Sequence, residues 1–285
     1  MRTNTGSHRD VASRLPRSTA PPQSAERARQ LRLFGIRVDA LSFDEALAAI
    51  WRWLAAGERR CRYIVTPNIN HVVLHQSDPS FRKAYEDASL VLPDGRYIVA
   101  AAALLGRPLR GPINGSDLVP ALLEAARGRN LRVFLLGALP GVAERARDNI
   151  ARTWPWIDVV GTYSPPVGFE RSAEESRKIV SAVNAARPDL LVLGISPPKQ
   201  ESWIAAHAKE LDVRVAICAG ATIDYLARHK TRAPRWAQRI GAEWLFRVIT
   251  EPRRLLGRYS WDAARFLPMF CRELATCWFR SSRNG

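Results

Sequence analysis

The stretch LRVFLLGALPG at residues 131–141 decides the fold. Its first seven residues are nearly all apolar, as in a strand buried on both faces, and Pro140 and Gly141 then turn the chain into an amphipathic helix over residues 142–153. The alternation continues downstream, with strands predicted around 159–161, at 190–194 and at 213–218, and helices at 172–186 and 199–211. Strands that alternate with helices of this length indicate crossover connections and a mainly parallel sheet.

The first half of the chain repeats the pattern. Residues 33–38 predict a short strand, and Ser42 with Glu45 three residues later predicts a capping box that opens a helix to about residue 56. Further predicted elements are a strand at 62–66, a helical stretch over 68–88 that breaks near Asp78 and Pro79, and a strand at 90–92. We therefore predict an α/β fold with a Rossmann-like, mainly parallel sheet, flanking helices and a basic, aromatic-rich helical appendage at the C-terminus.

Ligands of such sheets bind beyond the carboxyl ends of the strands. That rule selects the loops at 66–68, 93–95 and 137–141, with 194–201 and 220–224 as further candidates.

Each loop has a functional and a purely structural interpretation. The 137–141 loop is placed to bind phosphate at a helix N-terminus, yet it fits neither the dinucleotide nor the Walker pattern and is equally typical of a plain strand-to-helix turn. Asp94, at a strand end before Gly95, suits a general base, whereas Pro-Asp-Gly by itself more often forms a turn. Asp224 either binds a ligand or caps a helix.

His71 and His75 are spaced one helical turn apart and could pair on a metal ion. No HExxH pattern or neighbouring cysteine ligand completes a site, so we expect them on a surface helix and predict no metal site. The chain also contains no Asp-x-Asp sequence, the usual sign of a metal held against a nucleotide diphosphate. A bound diphosphate would then need protein cations to offset its charge.

Of the formal net charge of +16, +14 lies at the two ends of the chain. Residues 1–32 carry seven arginines against two acidic residues, and residues 228–285 carry 13 Lys and Arg against four acidic residues, which leaves 33–227 close to neutral. Such a field attracts nucleic acid, an anionic membrane or a phosphorylated substrate. The first segment is rich in Ser, Pro and Arg and predicts a disordered arm.

The C-terminal segment mixes arginine with aromatic side chains, including Trp236, Trp244, Trp261 and Trp278. That pattern is typical of an interfacial helix on anionic lipid, although a terminal helical subdomain packed on the sheet would show it too, and both can hold. The longest apolar run, at 97–105, is too short to span a bilayer. The first segment has no apolar region of the kind found in secretory signal peptides, and we expect it not to act as one. The four cysteines suit a reducing cytoplasm.

Taken together, the motifs resemble one family, the WecG/TagA/CpsF glycosyltransferases, which move a sugar from a UDP donor to a lipid-linked acceptor at the cytoplasmic membrane face. The resemblance is carried, in order, by TPN at 66–68, PDG at 93–95, GSDL at 115–118, GALPG at 137–141, Gly194, PPKQESW at 197–203, GATID at 220–224, RAPRW at 232–236, EWLFR at 243–247 and EPRR at 251–254. The sequence departs from the family pattern before the Gly-x-Asp motif, at Ile223 and at Arg228.

The resemblance implies an inverting, metal-independent transfer that needs no cofactor. Asp94 would be the catalytic base, with Thr66 and Asn68 lining the acceptor side. Three arginines of the appendage, Arg247, Arg254 and Arg258, would close over the diphosphate. The UDP-sugar would be held by Gly137, Ala138, Pro140, Gly141, Gly194, Lys199, Gln200, Glu201 and Asp224.

The resemblance also fixes the expected partners and domains. We expect a UDP-sugar donor, a polyprenyl-diphosphate-linked acceptor and an anionic membrane surface, with no nucleic acid and with a homo-oligomer left open. The expected units are a disordered basic arm (1–32), an α/β catalytic domain (33–227) and a membrane-associating helical appendage (228–285). Two alternatives stay open at this point, a basic nucleic-acid-binding module and a Rossmann-type nucleotide-cofactor enzyme, the second weakened by the absence of GxGxxG.

Overall fold

The computed structural model describes residues 30–281, apart from the side chains of residues 235, 238, 239, 254 and 279–281. Most of the predicted N-terminal arm therefore lies outside the described residues. The described chain begins with an antiparallel hairpin, β1 (Gln30–Leu33) and β2 (Ile36–Asp39), where a single strand was predicted. Phe34 and Gly35 both have positive φ, the geometry of a tight hairpin turn, so the apolar run folds back on itself.

A parallel sheet of six strands forms the centre of the described fold, in the order β4-β3-β8-β7-β5-β6. The strands are β3 (Arg62–Val65), β4 (Leu90–Val91), β5 (Leu131–Gly137), β6 (Ile157–Tyr163), β7 (Leu190–Gly194) and β8 (Val215–Cys218). All six were predicted, and the Rossmann-like α/β class is confirmed. Their side chains alternate between two cores, as in β7, where Leu191 and Leu193 face one core and Leu190 and Val192 the other.

Helices cover both faces of the sheet. They are α1 (Phe43–Ala55), α2 (Ile69–Ser77), α3 (Pro79–Asp87), α4 (Arg96–Leu104), α5 (Gly115–Ala125), α6 (Val142–Thr153), α7 (Ala173–Ala186), α8 (Lys199–His207), α9 (Thr222–Leu226), α10 (Arg235–Ile240), α11 (Glu243–Thr250) and α12 (Pro252–Ser281). One core packs under α1, α5, α6 and α9, and the other under α2, α3, α4, α7, α8 and part of α12.

The predicted helix boundaries correspond to observed caps. The Ser42 and Glu45 capping box is present, and Asp78 ends α2 and caps α3 with its side chain, so the break predicted near Asp78 and Pro79 is confirmed. The helices α4 and α5 were not predicted, although α5 begins with the GSDL motif. Helix α12 packs on the sheet domain through Phe266, which is buried in the same core as Phe34.

Candidate functional site

A cavity of about 1000 Å³ opens at the carboxyl ends of β3, β4, β7 and β8. The loops that follow these strands form its floor, and α11 and α12 form the opposite wall. Ligands of parallel sheets bind at this end of the strands. Four of the five loops selected from the sequence line the cavity. Its size suits a ligand larger than a single sugar.

Asp94 lies in this cavity on the loop after β4. Its backbone N–H donates to the carbonyl of Pro67 at 2.8 Å, and the preceding Pro93 carbonyl accepts from the N–H of Ile113 at 2.7 Å. Burial, together with the negative charge of Glu243, raises the pKa of Asp94 to about 7, although the Asn68 amide and the positive charges of Arg247 and Arg232 oppose the rise. A carboxyl group with that pKa can take up a proton near neutral pH.

Thr66 and Asn68 lie beside Asp94, as the motif predicted. The Asn68 side chain caps α2 by accepting from the N–H of His71, and its Nδ2 points to Oδ2 of Asp94 at 3.5 Å. Thr66 is buried, with its hydroxyl 3.5 Å from the carbonyl of Cys218 on the neighbouring strand β8. The structure therefore brings the predicted catalytic trio together at one end of the cavity.

Gln200, Gly194 and Asp224 border the same cavity. Oε1 of Gln200 accepts from the N–H of Gly220 at 3.3 Å, and its Nε2 donates to Oε1 of Glu201 at 2.7 Å. Asp224 lies 3.8 Å from Nζ of Lys230. The contact between Gln200 and Gly220 holds the segments after β7 and β8 to each other.

Glu201 lies behind this wall rather than in it. Its side chain is fully buried, and burial raises the pKa of Glu201 to about 7 against the opposing hydrogen bond from Gln200. Its Oε2 has no hydrogen-bond partner within the described part of the chain. Glu201 can therefore act on a ligand only through Gln200.

The remaining predicted donor residues do not line the cavity. Gly137 pairs with Gly194 in the sheet, and the Ala138 N–H donates to the Gly194 carbonyl at 3.0 Å. The loop that also contains Pro140 and Gly141 therefore follows β5, the neighbour of β7 on the side away from the cavity. Nζ of Lys199 is paired with Glu170 at 3.1 Å.

Cations from the C-terminal helices face the cavity. Arg247 of α11 and Arg258 of α12 border it. The buried Nε of Arg258 has no hydrogen-bond partner among the described residues. The side chain of the third predicted arginine, Arg254, lies outside the described residues. Lys230 and Arg96 add two further cations to the lining. Positive charge at this position can bind an anionic ligand group.

Two histidines were expected on a surface helix, and that prediction is wrong. His71 and His75 are both buried, because α2 lies between the sheet, α3 and α12. Nδ1 of His71 lies 2.6 Å from the Tyr85 hydroxyl, and burial followed by the charge of Arg258 lowers the pKa of His71 to about 3. Residues 30–281 contain no group of three or more His, Cys, Asp or Glu side chains placed to hold a metal ion.

Sequence analysis missed several residues that the fold brings to the cavity. Asn114 and Asp117 come from α5, Glu243 from α11 and Asp262 from α12, where Asp262 is buried and accepts from Nδ2 of Asn70 at 2.9 Å. Asp117 lies in the GSDL motif and Glu243 in the EWLFR motif, but neither was assigned a role, and Asn114 and Asp262 had no signal in the sequence.

Comparison with known proteins identifies similar sequences. A family model described as "Glycosyl transferase WecG/TagA/CpsF family" matches residues 31–279. The chain is 30% identical over 192 residues to the N-acetylglucosaminyldiphosphoundecaprenol N-acetyl-beta-D-mannosaminyltransferase of Bacillus spizizenii, covering 67% of this chain and 72% of the relative. It is 26% identical over 246 residues to the protein of the same name from Staphylococcus aureus strain MRSA252, covering 85% and 91%.

Proposed function

Because the chain belongs to the WecG/TagA/CpsF family of glycosyl transferases, we propose that it moves a sugar from a UDP donor to a polyprenyl-diphosphate-linked acceptor, with Asp94 as the general base. The observation that carries the proposal is the placement of Asp94, with its pKa raised to about 7, in a large cavity that is also lined by Arg247 and Arg258. A base and cations able to bind a diphosphate would thus lie in one cavity.

The proposed reaction is a single displacement with inversion. The acceptor hydroxyl oxygen attacks the anomeric carbon, the bond from that carbon to UDP breaks, and the hydroxyl proton passes to the Asp94 carboxylate. Asn68, 3.5 Å from that carboxylate, orients it, and Thr66 borders the same end of the cavity. The raised pKa of Asp94 makes its carboxylate a stronger base than an exposed aspartate.

The leaving group is UDP, whose diphosphate gains negative charge as the bond breaks. Arg247 and Arg258 are the cations from the C-terminal helices with described side chains in the lining, and we propose that they offset this charge without a bound metal ion. Gln200, Gly194 and Asp224 line the cavity on the side of β7 and β8 and would hold the nucleotide sugar. Gly137, Ala138, Pro140 and Gly141 would contribute only after a rearrangement that brings their loop to the cavity.

The names of the relatives guide the choice of substrates. Both act on N-acetylglucosaminyldiphosphoundecaprenol and transfer N-acetylmannosamine. We propose an acceptor of that lipid-linked class, and a donor sugar that is N-acetylmannosamine, its uronic acid, glucuronic acid or a related sugar. The product would be a lipid-linked precursor of a bacterial cell-surface polysaccharide.

A lipid-linked acceptor places the reaction at a membrane. No helix within residues 30–281 has the length and apolar character needed to cross a bilayer. Of the large apolar side chains exposed in that part, ten of fourteen lie between residues 236 and 278. We propose that these side chains and the neighbouring arginines attach the enzyme to the inner face of the cytoplasmic membrane, with residues 228–285 as the attaching unit.

The test of the proposal is Asp94→Asn, which keeps the shape of the side chain and removes the base. We expect transfer from UDP-N-acetylmannosamine to a lipid-linked N-acetylglucosamine diphosphate acceptor to fall by at least about 10²-fold, the low end of what a general base supplies. UDP binding by calorimetry should persist, and turnover of the native enzyme should be unchanged by excess chelator. The exposed Asp148→Asn is the matched control. Undiminished turnover of Asp94→Asn on every donor tried would refute the assignment.

A further inference from the structure

Asn114 occupies the N-cap position of α5 but does not cap that helix. Its backbone is extended, with φ −83° and ψ 143°, and within the described part of the chain no N–H of α5 donates to its side chain. An N-cap asparagine normally accepts from the second or third N–H of its own helix. The side chain of Asn114 therefore serves a different contact.

That contact is the loop that carries Asp94. Oδ1 of Asn114 accepts from the backbone N–H of Gly95 at 3.0 Å. Gly95 has φ +86° and ψ 153°, a conformation that residues with a Cβ rarely adopt. Glycine also permits many other conformations, so the neighbour of Asp94 needs an external contact to keep this one.

The amide of Asn114 is itself held in place. Its Nδ2 donates to Oδ2 of Asp117 at 3.4 Å. The Asp117 carboxylate in turn accepts hydrogen bonds from Nη1 and Nη2 of Arg232 at 2.6 and 2.7 Å. This bidentate ion pair with Arg232 fixes the plane of the Asp117 carboxylate. With Nδ2 directed at Asp117, Oδ1 is left facing Gly95.

We propose that Asn114 is a positioning residue for the base Asp94, and that the Asp117 and Arg232 pair orients its amide. The inference rests on the proposed function, because it needs Asp94 to take the proton. Asn114 holds the base loop from the side of α5, and Asn68 holds the carboxylate from the side of α2. The chain of contacts also joins the base loop to the segment between α9 and α10, since Arg232 lies there.

The charged groups that face Asp94 set how each variant should act on the pH profile. Glu243 and Arg247 face it from α11, and Arg232 from the segment before α10. Loss of the neutral Asn114 amide leaves these charges in place. We therefore expect kcat to fall while the acid limb of the pH–rate profile stays where it is. Loss of the Arg232 charge should move that limb to higher pH, because the positive charge favours the ionised form of Asp94.

The decisive variant is Asn114→Ser. Serine is a preferred N-cap residue, so it can cap α5 and preserve stability, but its short side chain cannot reach both Gly95 and Asp117. We expect kcat to fall about 10- to 100-fold, with the KM of donor and acceptor changed less than twofold, since small misplacements of a catalytic group cost rates of this order. The melting temperature should stay at or above that of the native enzyme.

Two further variants complete the experiment. Asp117→Asn should lower kcat, and the double variant Asn114→Ser with Asp117→Asn should be no slower than Asn114→Ser alone, because both act through one contact. Asn184→Ala is the matched control. Asn184 also bridges two backbone groups, the Asp212 N–H and the Glu210 carbonyl, but it lies near the amino ends of β7 and β8, away from the cavity, and its loss should leave kcat unchanged.

The outcomes separate this inference from the proposed function. If Asp94→Asn is inactive while Asn114→Ser keeps full kcat, or raises KM at unchanged kcat, Asn114 is not a positioning residue. A fall in kcat that tracks a fall in melting temperature, equally in Asn184→Ala, would overturn it as well. Full activity of Asp94→Asn would refute the role of Asp94 as base in the proposed function, whatever Asn114 does, and absence of transfer by the native enzyme on every donor would refute the sugar transfer itself.

Discussion

The backbone N–H of Phe34 donates a hydrogen bond of 2.9 Å to Oε2 of Glu273, across 239 positions of sequence. The other oxygen of the same carboxylate accepts from Nη1 of Arg107 at 2.7 Å. Glu273 on α12 thereby ties the C-terminal helix both to the first hairpin and to the segment after α4. Next to this contact, Phe34 packs against Phe266, with ring centroids 5.1 Å apart.

Removing this carboxylate should loosen α12 from the sheet domain. Glu273→Ala leaves the N–H of the buried Phe34 without its acceptor, and we expect a loss of about 1–3 kcal/mol in the free energy of unfolding, measured in urea. Glu273→Gln keeps one acceptor and should lose less. The control is Glu174→Ala, which breaks a fully exposed pair with Lys178 and should change the unfolding free energy far less, because solvent screens such pairs. Equal losses in Glu273→Ala and Glu174→Ala would contradict the contact.

The charges of α11 should move the pH dependence of transfer in opposite directions. The pKa of Asp94, about 7, places the acid limb of kcat/KM near neutral pH, with activity rising as the carboxylate ionises. Arg247→Gln removes a charge that lowers this pKa, so the limb should move to higher pH. Glu243→Gln removes a charge that raises it, so the limb should move to lower pH. Profiles between pH 5 and 9 that shift in the same direction would show that these charges do not act on the base.

The buried Glu201 should make the protein less stable as the pH rises. Because its folded pKa, about 7, exceeds the ordinary 4.5, the native state holds a proton that the unfolded chain has released between those values. Glu201→Gln keeps an acceptor for Gln200 and cannot ionise. Its advantage in unfolding free energy should grow from about pH 4.5 and level off above 7, at no more than about 3 kcal/mol. The exposed Glu86→Gln is the control, and a difference that does not vary with pH would contradict the prediction.

The backbone at Arg228 suits glycine better than arginine. Arg228 has φ 53° directly after α9, a conformation that is strained for a side chain with a Cβ, and it is exposed, so little packing is lost on truncation. We expect Arg228→Gly to raise the unfolding free energy by about 0.5–1 kcal/mol. The same substitution in the middle of α7, Arg177→Gly, should lower it by a similar amount. If Arg228→Gly were destabilised as well as Arg177→Gly, the Arg228 side chain would make a contact that stabilises the fold by more than its backbone strain costs.

Membrane attachment should depend on single exposed side chains of the C-terminal helices. Ile240 and Ile249 are 70% and 69% exposed, and a glutamate at either position adds a negative charge where we propose contact with anionic lipid. Flotation with vesicles of anionic phospholipid should fall for Ile240→Glu and Ile249→Glu, and more for the double variant. Val167→Glu changes a residue that is 99% exposed in the sheet domain and should float like the native protein. Unchanged flotation of the double variant would refute this surface.

The sequence by itself determined the sheet, its loops and the family. Apolar runs such as 131–137 and 190–194 are buried on both faces, so their composition specifies strands wherever they pack. The rule that ligands bind at the carboxyl ends of parallel strands then selected the loops that carry Asp94, Thr66 and Asn68. The hairpin at Gly35 was missed because its apolar residues continue through the turn.

Only the tertiary structure decided which polar groups face the cavity and how their charges combine. The Gly137–Gly141 loop was predicted to bind the nucleotide sugar but does not line the cavity. Asn114 and Asp262 gave no local signal in the sequence, yet both line it. His71 and His75 have the spacing of a surface pair and are buried, because the third layer over α2 is built by α12, about 190 residues later. Burial and long-range charge are sums over the whole packed chain, so no local pattern specifies the pKa of Asp94.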